Sequence, residues 1–175
     1  MVPMSLRILA PPTSDTSEAP SLVLQCDARK YMFNVGEGTT RVSAQHRASN
    51  MRVDHIFLTR VASETMGGVP GQLMTLADGG RESIDIHEPP NLHYALAATS
   101  IYERRDTMEL KAHEIEVREP HVCYQDEYVQ IHSVPLVPAQ HRSLYTDIAE
   151  KGPALDVKAQ LSSPKALRGS QAKAW

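Results

Sequence analysis

Between Leu58 and Gly67 the chain places Thr59, Arg60, Glu64 and Thr65 inside a stretch, Asp54 to Gly71 (DHIFLTRVASETMGGVPG), that reads as a buried strand opening into a glycine-rich turn. A strand end of this kind is where a metal-dependent hydrolase would keep its ligands. A two-metal hydrolytic site needs several neutral imidazoles and carboxylates converging on each ion, one of them bridging, so that bound water is acidified and aligned for attack. These residues supply little of that. The Arg60 guanidinium is permanently charged, repels a divalent ion and offers no lone pair, and Ala62 coordinates nothing. Glu64 and Thr65 remain as two weak oxygen donors. The simpler role for Glu64 is an ion pair with Arg60, four residues before it.

The elements that must position this stretch follow from patterning. Val53, Ile56, Phe57 and Leu58 have the content of a buried strand, and Gly67-Gly68 with Pro70-Gly71 force a turn and a fresh start. Upstream, Ser5 to Leu9 and Ser21 to Cys26 read as strands around a polar, proline-bounded loop, and Asp27 to Lys30 as a hairpin turn into the strand Tyr31 to Val35. Gly36 and Gly38 flank Glu37 where that strand gives way to a helix, which makes Glu37 a structural helix-start charge. Thr39 to Met51 reads as a helix with Val42, Ala44 and Ala48 inward and Arg41 and Arg47 outward, and Val69 to Ala77 as a second with Leu73, Leu76 and Ala77 at helical spacing. Ser83 to His87 alternates as a strand, with His87 as its solvated end, and a helix is expected over about Asn91 to Tyr102 with His93 and Tyr94 on its surface. Leu110 to Arg118 and Tyr128 to Pro135 both alternate and read as an antiparallel pair joined by the polar turn Tyr124 to Glu127.

Several of these runs carry a resemblance. Leu58-Thr59, a gap and Met66-Gly67-Gly68-Val69-Pro70-Gly71 resemble the metal-binding segment of tRNase Z within the metallo-β-lactamase superfamily, where the gap reads His-x-His-x-Asp-His. The four ligand positions here hold Arg60, Ala62, Glu64 and Thr65. The run Tyr31 to Arg41 (YMFNVGEGTTR) is similar to the signature of the long-form enzyme, and Tyr124 to Leu136 resembles the run leading to a further metal histidine, where this chain continues Val137-Pro138. Glu88-Pro89-Pro90 stands where the family has a glycine-containing turn, and His132 and His141 fall outside its ligand positions. Long-form tRNase Z is a tandem of two metallo-β-lactamase units, the carboxy-terminal one keeping the ligands and the amino-terminal one degenerate. The chain resembles the amino-terminal unit from about Met4 to Leu136.

The resemblance implies an α/β fold, a metallo-β-lactamase-like αββα sandwich present as an incomplete unit. It implies a non-catalytic share in tRNA 3′-end processing, no catalytic residue and no cofactor in this chain, and zinc in a carboxy-terminal catalytic half. That half and pre-tRNA are the expected partners, with no membrane, and the family implies nucleus and/or mitochondrion, with the cytosol open. Two rivals stand beside this: a metal-free binding or scaffold unit of the same fold, and a stand-alone metallohydrolase.

With 175 residues, a net charge of −3, 41% hydrophobic and 22% charged residues, the chain has ordinary globular composition and no global basic field. Any RNA contact must therefore be local. The basic residues expected to supply it, or a domain contact, are Arg41, Arg60, Lys151, Lys158 and Arg168. From about Ala139 the character changes to Lys, Arg, Pro, Ser and Gly, so the chain divides into a folded unit, 1–138, and a flexible basic tail, 139–175. Cys26 and Cys123 are isolated, which suggests reduced, half-buried thiols. The first residues form too short an apolar run for a signal peptide and no window spans a bilayer, so an intracellular protein is expected.

Overall fold

The computed structural model describes residues 4–10, 20–45, 52–99, 108–115, 119–136 and 154–160. Three antiparallel strands come first in space, β1 (Met4–Ala10), β2 (Ser21–Cys26) and β3 (Arg29–Phe33), and β4 (His55–Phe57), β5 (Ser83–Glu88) and β6 (Glu109–Glu114) continue the sheet in parallel with β3. Parallel neighbours need crossovers, and the helices supply them: α1 (Thr39–Gln45) follows β3, α2 (Ser63–Met66) and α3 (Val69–Asp78) join β4 to β5, and α4 (Leu92–Thr99) follows β5. A second, antiparallel sheet holds β7 (His121–Gln125), β8 (Gln130–Leu136) and β9 (Ala154–Gln160).

The alternation of the strands sends side chains to two cores. Met32, Ile56, Ile84 and Ile86 meet Val69, Leu73 and Leu76 of α3 and Leu92 of α4, all fully buried. On the other face Leu24, Cys26, Tyr31, Phe33 and Phe57 meet Val129 and Ile131 of the second sheet. Among the described residues the layers are therefore helices, sheet, sheet, three of the four layers of an αββα sandwich. Burying each such Leu, Ile or Phe side chain contributes about 1.5–3 kcal/mol, so the two cores hold the layers together.

Several expectations are corrected. The hairpin turn is two residues, Asp27-Ala28, because Arg29 already pairs with Cys26. Leu110 lies on β6, which pairs in parallel with β5, and the antiparallel partner of β8 is β7, the run His121 to Gln125 that the sequence assigned in part to a turn. The reversal comes later, where the Asp126 carboxylate accepts the backbone N–H groups of Tyr128 and Val129. On α1 the buried residues are Thr39 and Ser43, while Ala44 is exposed, because the hydroxyl of Thr39 reaches the Gly36 carbonyl and that of Ser43 the Thr39 carbonyl. Residues 46–51 and 100–102, where the helices expected over Thr39 to Met51 and about Asn91 to Tyr102 would continue, lie outside the described residues. Within the stretch read as a tail, Ala154–Gln160 pairs along β8, Leu136 opposite Ala154 and Gln130 opposite Gln160, and so belongs to the second sheet.

Candidate functional site

The loop after β4 is built against the loop after β3. Asn34, at φ 54, occupies the left-handed region that Asn tolerates better than most residues, and its Oδ1 accepts both the backbone N–H and the hydroxyl of Thr59 at 3.0 Å. Val35 donates its N–H to the Thr65 carbonyl at 2.7 Å, and Gly68 returns one to the Val35 carbonyl at 2.8 Å. The backbones come so close that a Cβ on Gly68 would stand 2.2 Å from the Gly36 oxygen. The amide of Gly36 is held by the Ser21 hydroxyl at 3.0 Å, and that hydroxyl lies 3.0 Å from the Thr39 hydroxyl. Hence the glycines of both loops serve backbone contact, which requires no metal.

Within this frame the four degenerate positions do other work. Arg60 Nη2 lies 2.8 Å from Glu64 Oε1, with the two side chains 38% and 25% exposed. Thr65 is fully buried, and its hydroxyl donates back to the carbonyls of Arg60 and Ala62 at 2.6 and 3.0 Å, closing the first turn of α2. The two oxygens left over from a ligand set are thus engaged, one with a guanidinium and one with the backbone. Among the described residues no group of three His, Cys, Asp or Glu side chains is placed to hold a metal ion. The donor set of this loop does not fit zinc.

Of the remaining candidates, Arg41 is exposed on α1, beside Gly38. Lys158 lies on β9 at the register position opposite His132. Lys151 and Arg168 lie outside the described residues, as does His141. The structure brings Arg60 to Glu64 and records no contact between Arg60 and Arg41.

A second group of titratable side chains escaped the sequence reading. His87, expected to be solvated, is 4% exposed and packs between the rings of Phe57, at 4.3 Å, and His113, at 4.9 Å. Its Nε2 lies 3.3 Å from Nδ1 of His55, itself buried, and its Nδ1 has no partner. Tyr124 of β7 covers the group, 4.3 Å from the His55 ring, and His113 Nε2 reaches Asp85 Oδ1 at 2.6 Å. Burial first, then the facing His55 and His113, pushes His87 down to about 3, and burial also lowers His55. Burial favours the neutral form of both rings, His87 stacked on Phe57 and His55 on Tyr31, so this is a core beneath the second sheet. The period-2 placement of His55, Phe57, Asp85 and His87 on one face was the signal for it. Nearby, Tyr31 and Tyr124 both donate to Asp126, tying the two sheets together. Burial works to raise the Asp126 carboxyl, but these donors and the amides of Tyr128 and Val129 hold it below its usual range. Glu88, expected in a turn, ends β5 and is 2% exposed, its Oε2 unpartnered among the described residues, and burial raises its carboxyl.

The layered arrangement is the metallo-β-lactamase fold, shared at a TM-score of 0.57 with a metallo-β-lactamase fold protein of Bacillus subtilis that is 7% identical and matches 90% of this chain and 58% of its own. A family model described as tRNase Z endonuclease matches residues 7–68. A mitochondrial tRNase Z of Arabidopsis thaliana is 37% identical over 72% of this chain and 14% of its own length, and the human zinc phosphodiesterase ELAC protein 2 is 32% identical over 78% and 16%. The crystal structure of a yeast long form RNase Z matches 77% of this chain and 18% of its own, at 25% identity and a TM-score of 0.66. The chain belongs to the tRNase Z family, with the character of the ligand-poor amino-terminal unit of the long form. It spans about one seventh to one sixth of the length of these curated relatives. No helix among the described residues is long and apolar enough to cross a membrane.

Proposed function

We propose that the chain is the non-catalytic amino-terminal part of a tRNA 3′-end processing endoribonuclease, contributing domain packing and tRNA contact while a carboxy-terminal zinc-binding unit removes the 3′ trailer. The observation that carries this reading is the loop from Thr59 to Gly68: its glycine frame is intact while the ligand positions are spent on an Arg60–Glu64 ion pair and a hydroxyl turned to the backbone. A frame present without its ligands suits a unit that serves by its shape. Nucleus or mitochondrion is the proposed compartment, the second being the one named for relatives in Arabidopsis thaliana and Drosophila melanogaster.

The test is metal content, pre-tRNA cleavage and tRNA binding on the purified chain. The expected result is no bound zinc and no cleavage, with tRNA binding that weakens as salt rises. Stoichiometric zinc with cleavage would instead make the chain a stand-alone hydrolase. Absence of tRNA binding would leave a scaffold unit and end the tRNA-contact reading.

A further inference from the structure

A further group of basic residues lies outside the candidates above. Register places Arg7 opposite Val23 on β2, and Lys30 opposite Gln25, on the sheet face that Val23 and Met32 share with the helices. Arg52 precedes β4, two residues before Asp54. Asp54 ties the Lys30 backbone to Arg81: its amide donates to the Lys30 carbonyl at 2.9 Å, its Oδ2 accepts the Lys30 amide at 2.9 Å, and its Oδ1 takes the Arg81 guanidinium at 2.7 Å. Both carboxylate oxygens are then engaged, while Arg7 and Arg52 are exposed and have no carboxylate partner among the described residues. Arg7 and Arg52 both act on the Lys30 charge, in a chain of net charge −3.

We propose that this edge of the sheet, carrying Arg7, Lys30 and Arg52, is a binding face for the phosphate backbone of structured RNA. The inference rests on the preceding reading that the unit contacts tRNA, and it moves that contact from the tail and the degenerate loop to the start of the parallel strands. Burial and then the neighbouring charges of Arg7 and Arg52 lower the pKa of Lys30, so the cations repel one another and phosphates between them would relieve that repulsion. A lipid surface fits less well, because the exposed apolar residues of β1, Met4, Leu6 and Ile8, alternate to the opposite face of the strand from Arg7. Backbone recognition of this kind is sequence-independent and salt-sensitive.

The experiment measures binding of a labelled tRNA transcript by the 175-residue chain between about 50 and about 200 mM salt, for the unaltered protein, Arg7→Gln/Lys30→Gln/Arg52→Gln and Arg41→Gln/Arg60→Gln. The triple variant is expected to bind at least about tenfold more weakly at the low-salt end and to lose roughly 2–3 from the log–log salt slope, about one for each cation. The double variant should keep the slope. Should Lys30→Gln disturb the fold, seen as a lowered melting temperature, Arg7→Gln/Arg52→Gln changes only exposed side chains and should lose about 2 from the slope. Binding by these variants that matches the unaltered chain in affinity and slope overturns this face and leaves the tRNA reading standing. No binding by the unaltered chain overturns both.

Discussion

His87 lies beneath the second sheet with one ring nitrogen bonded to His55 and the other without a partner, so the fold accepts it only in the neutral form. Its folded pKa of about 3 lies below the ordinary 6.5, and between those values the unfolded chain takes up a proton that the folded chain refuses. Stability is therefore full above about pH 6.5 and falls toward pH 3, by about 1.4 kcal/mol per pH unit for this group. The facing groups are His55, lowered in the same direction, with His113 and Asp85 at the rim. His87→Phe, a ring of similar size able to stack on Phe57, should flatten the loss of urea stability between pH 7 and pH 4. A slope equal to that of the unaltered protein would show that other groups carry the acid sensitivity. At Arg60 and Glu64 much less is at stake, since a partly exposed pair of this kind contributes about 0.2–1 kcal/mol. The chemistry of the ligand positions has changed there at little cost in stability.

Among the elements, the turn between β4 and α3 has the tightest tolerance. Gly68→Ala would put a methyl 2.2 Å from the Gly36 oxygen and 3.2 Å from that of Val35, both of them backbone. The loops would have to part and give up the Gly68 to Val35 hydrogen bond, a loss of roughly 2 kcal/mol or more. Gly71, three residues later in α3, has nothing within 4 Å of its Cβ direction, so Gly71→Ala should leave stability unchanged or raise it by about 0.5–1 kcal/mol. Urea denaturation of the two variants side by side checks the contrast, and equal effects would mean the loops are not locked. This frame was legible in the sequence because Gly36, Gly38, Gly67 and Gly68 are separated by elements of clear periodicity. The pairing of β6 and β7 was not. An alternating strand looks the same whether its partner is parallel or antiparallel, and choosing β5 for β6 depends on the crossover that α4 begins.

At the scale of the whole molecule, the described strands of the second sheet leave β1 uncovered. Leu22, Leu24 and Cys26 of β2 are covered by it, yet Ile8, Leu6 and Met4, their partners across the ladder, remain 63%, 62% and 49% exposed on an edge strand. Such a row invites edge pairing and self-association. Leu6→Lys with Ile8→Lys should raise the protein concentration at which the isolated chain aggregates, measured by light scattering, with the melting temperature within a few degrees of the unaltered value. Aggregation at the same concentration would place the adhesive surface elsewhere.

Sequence alone determined what depends on neighbours along the chain: the strands Ser21–Cys26 and Ser83–His87 and the helix Val69–Ala77, each within a residue of the observed element, the glycine turns, and the replacement of ligand types by Arg60, Ala62, Glu64 and Thr65. Tertiary structure decided what depends on which faces meet. It buried His87 and Glu88, brought Ala154–Gln160 into the second sheet, and set Arg7 and Lys30 on one face of the first sheet. A side chain's burial and the sum of charges near it are set by distances through space, and periodicity along the chain carries no measure of those.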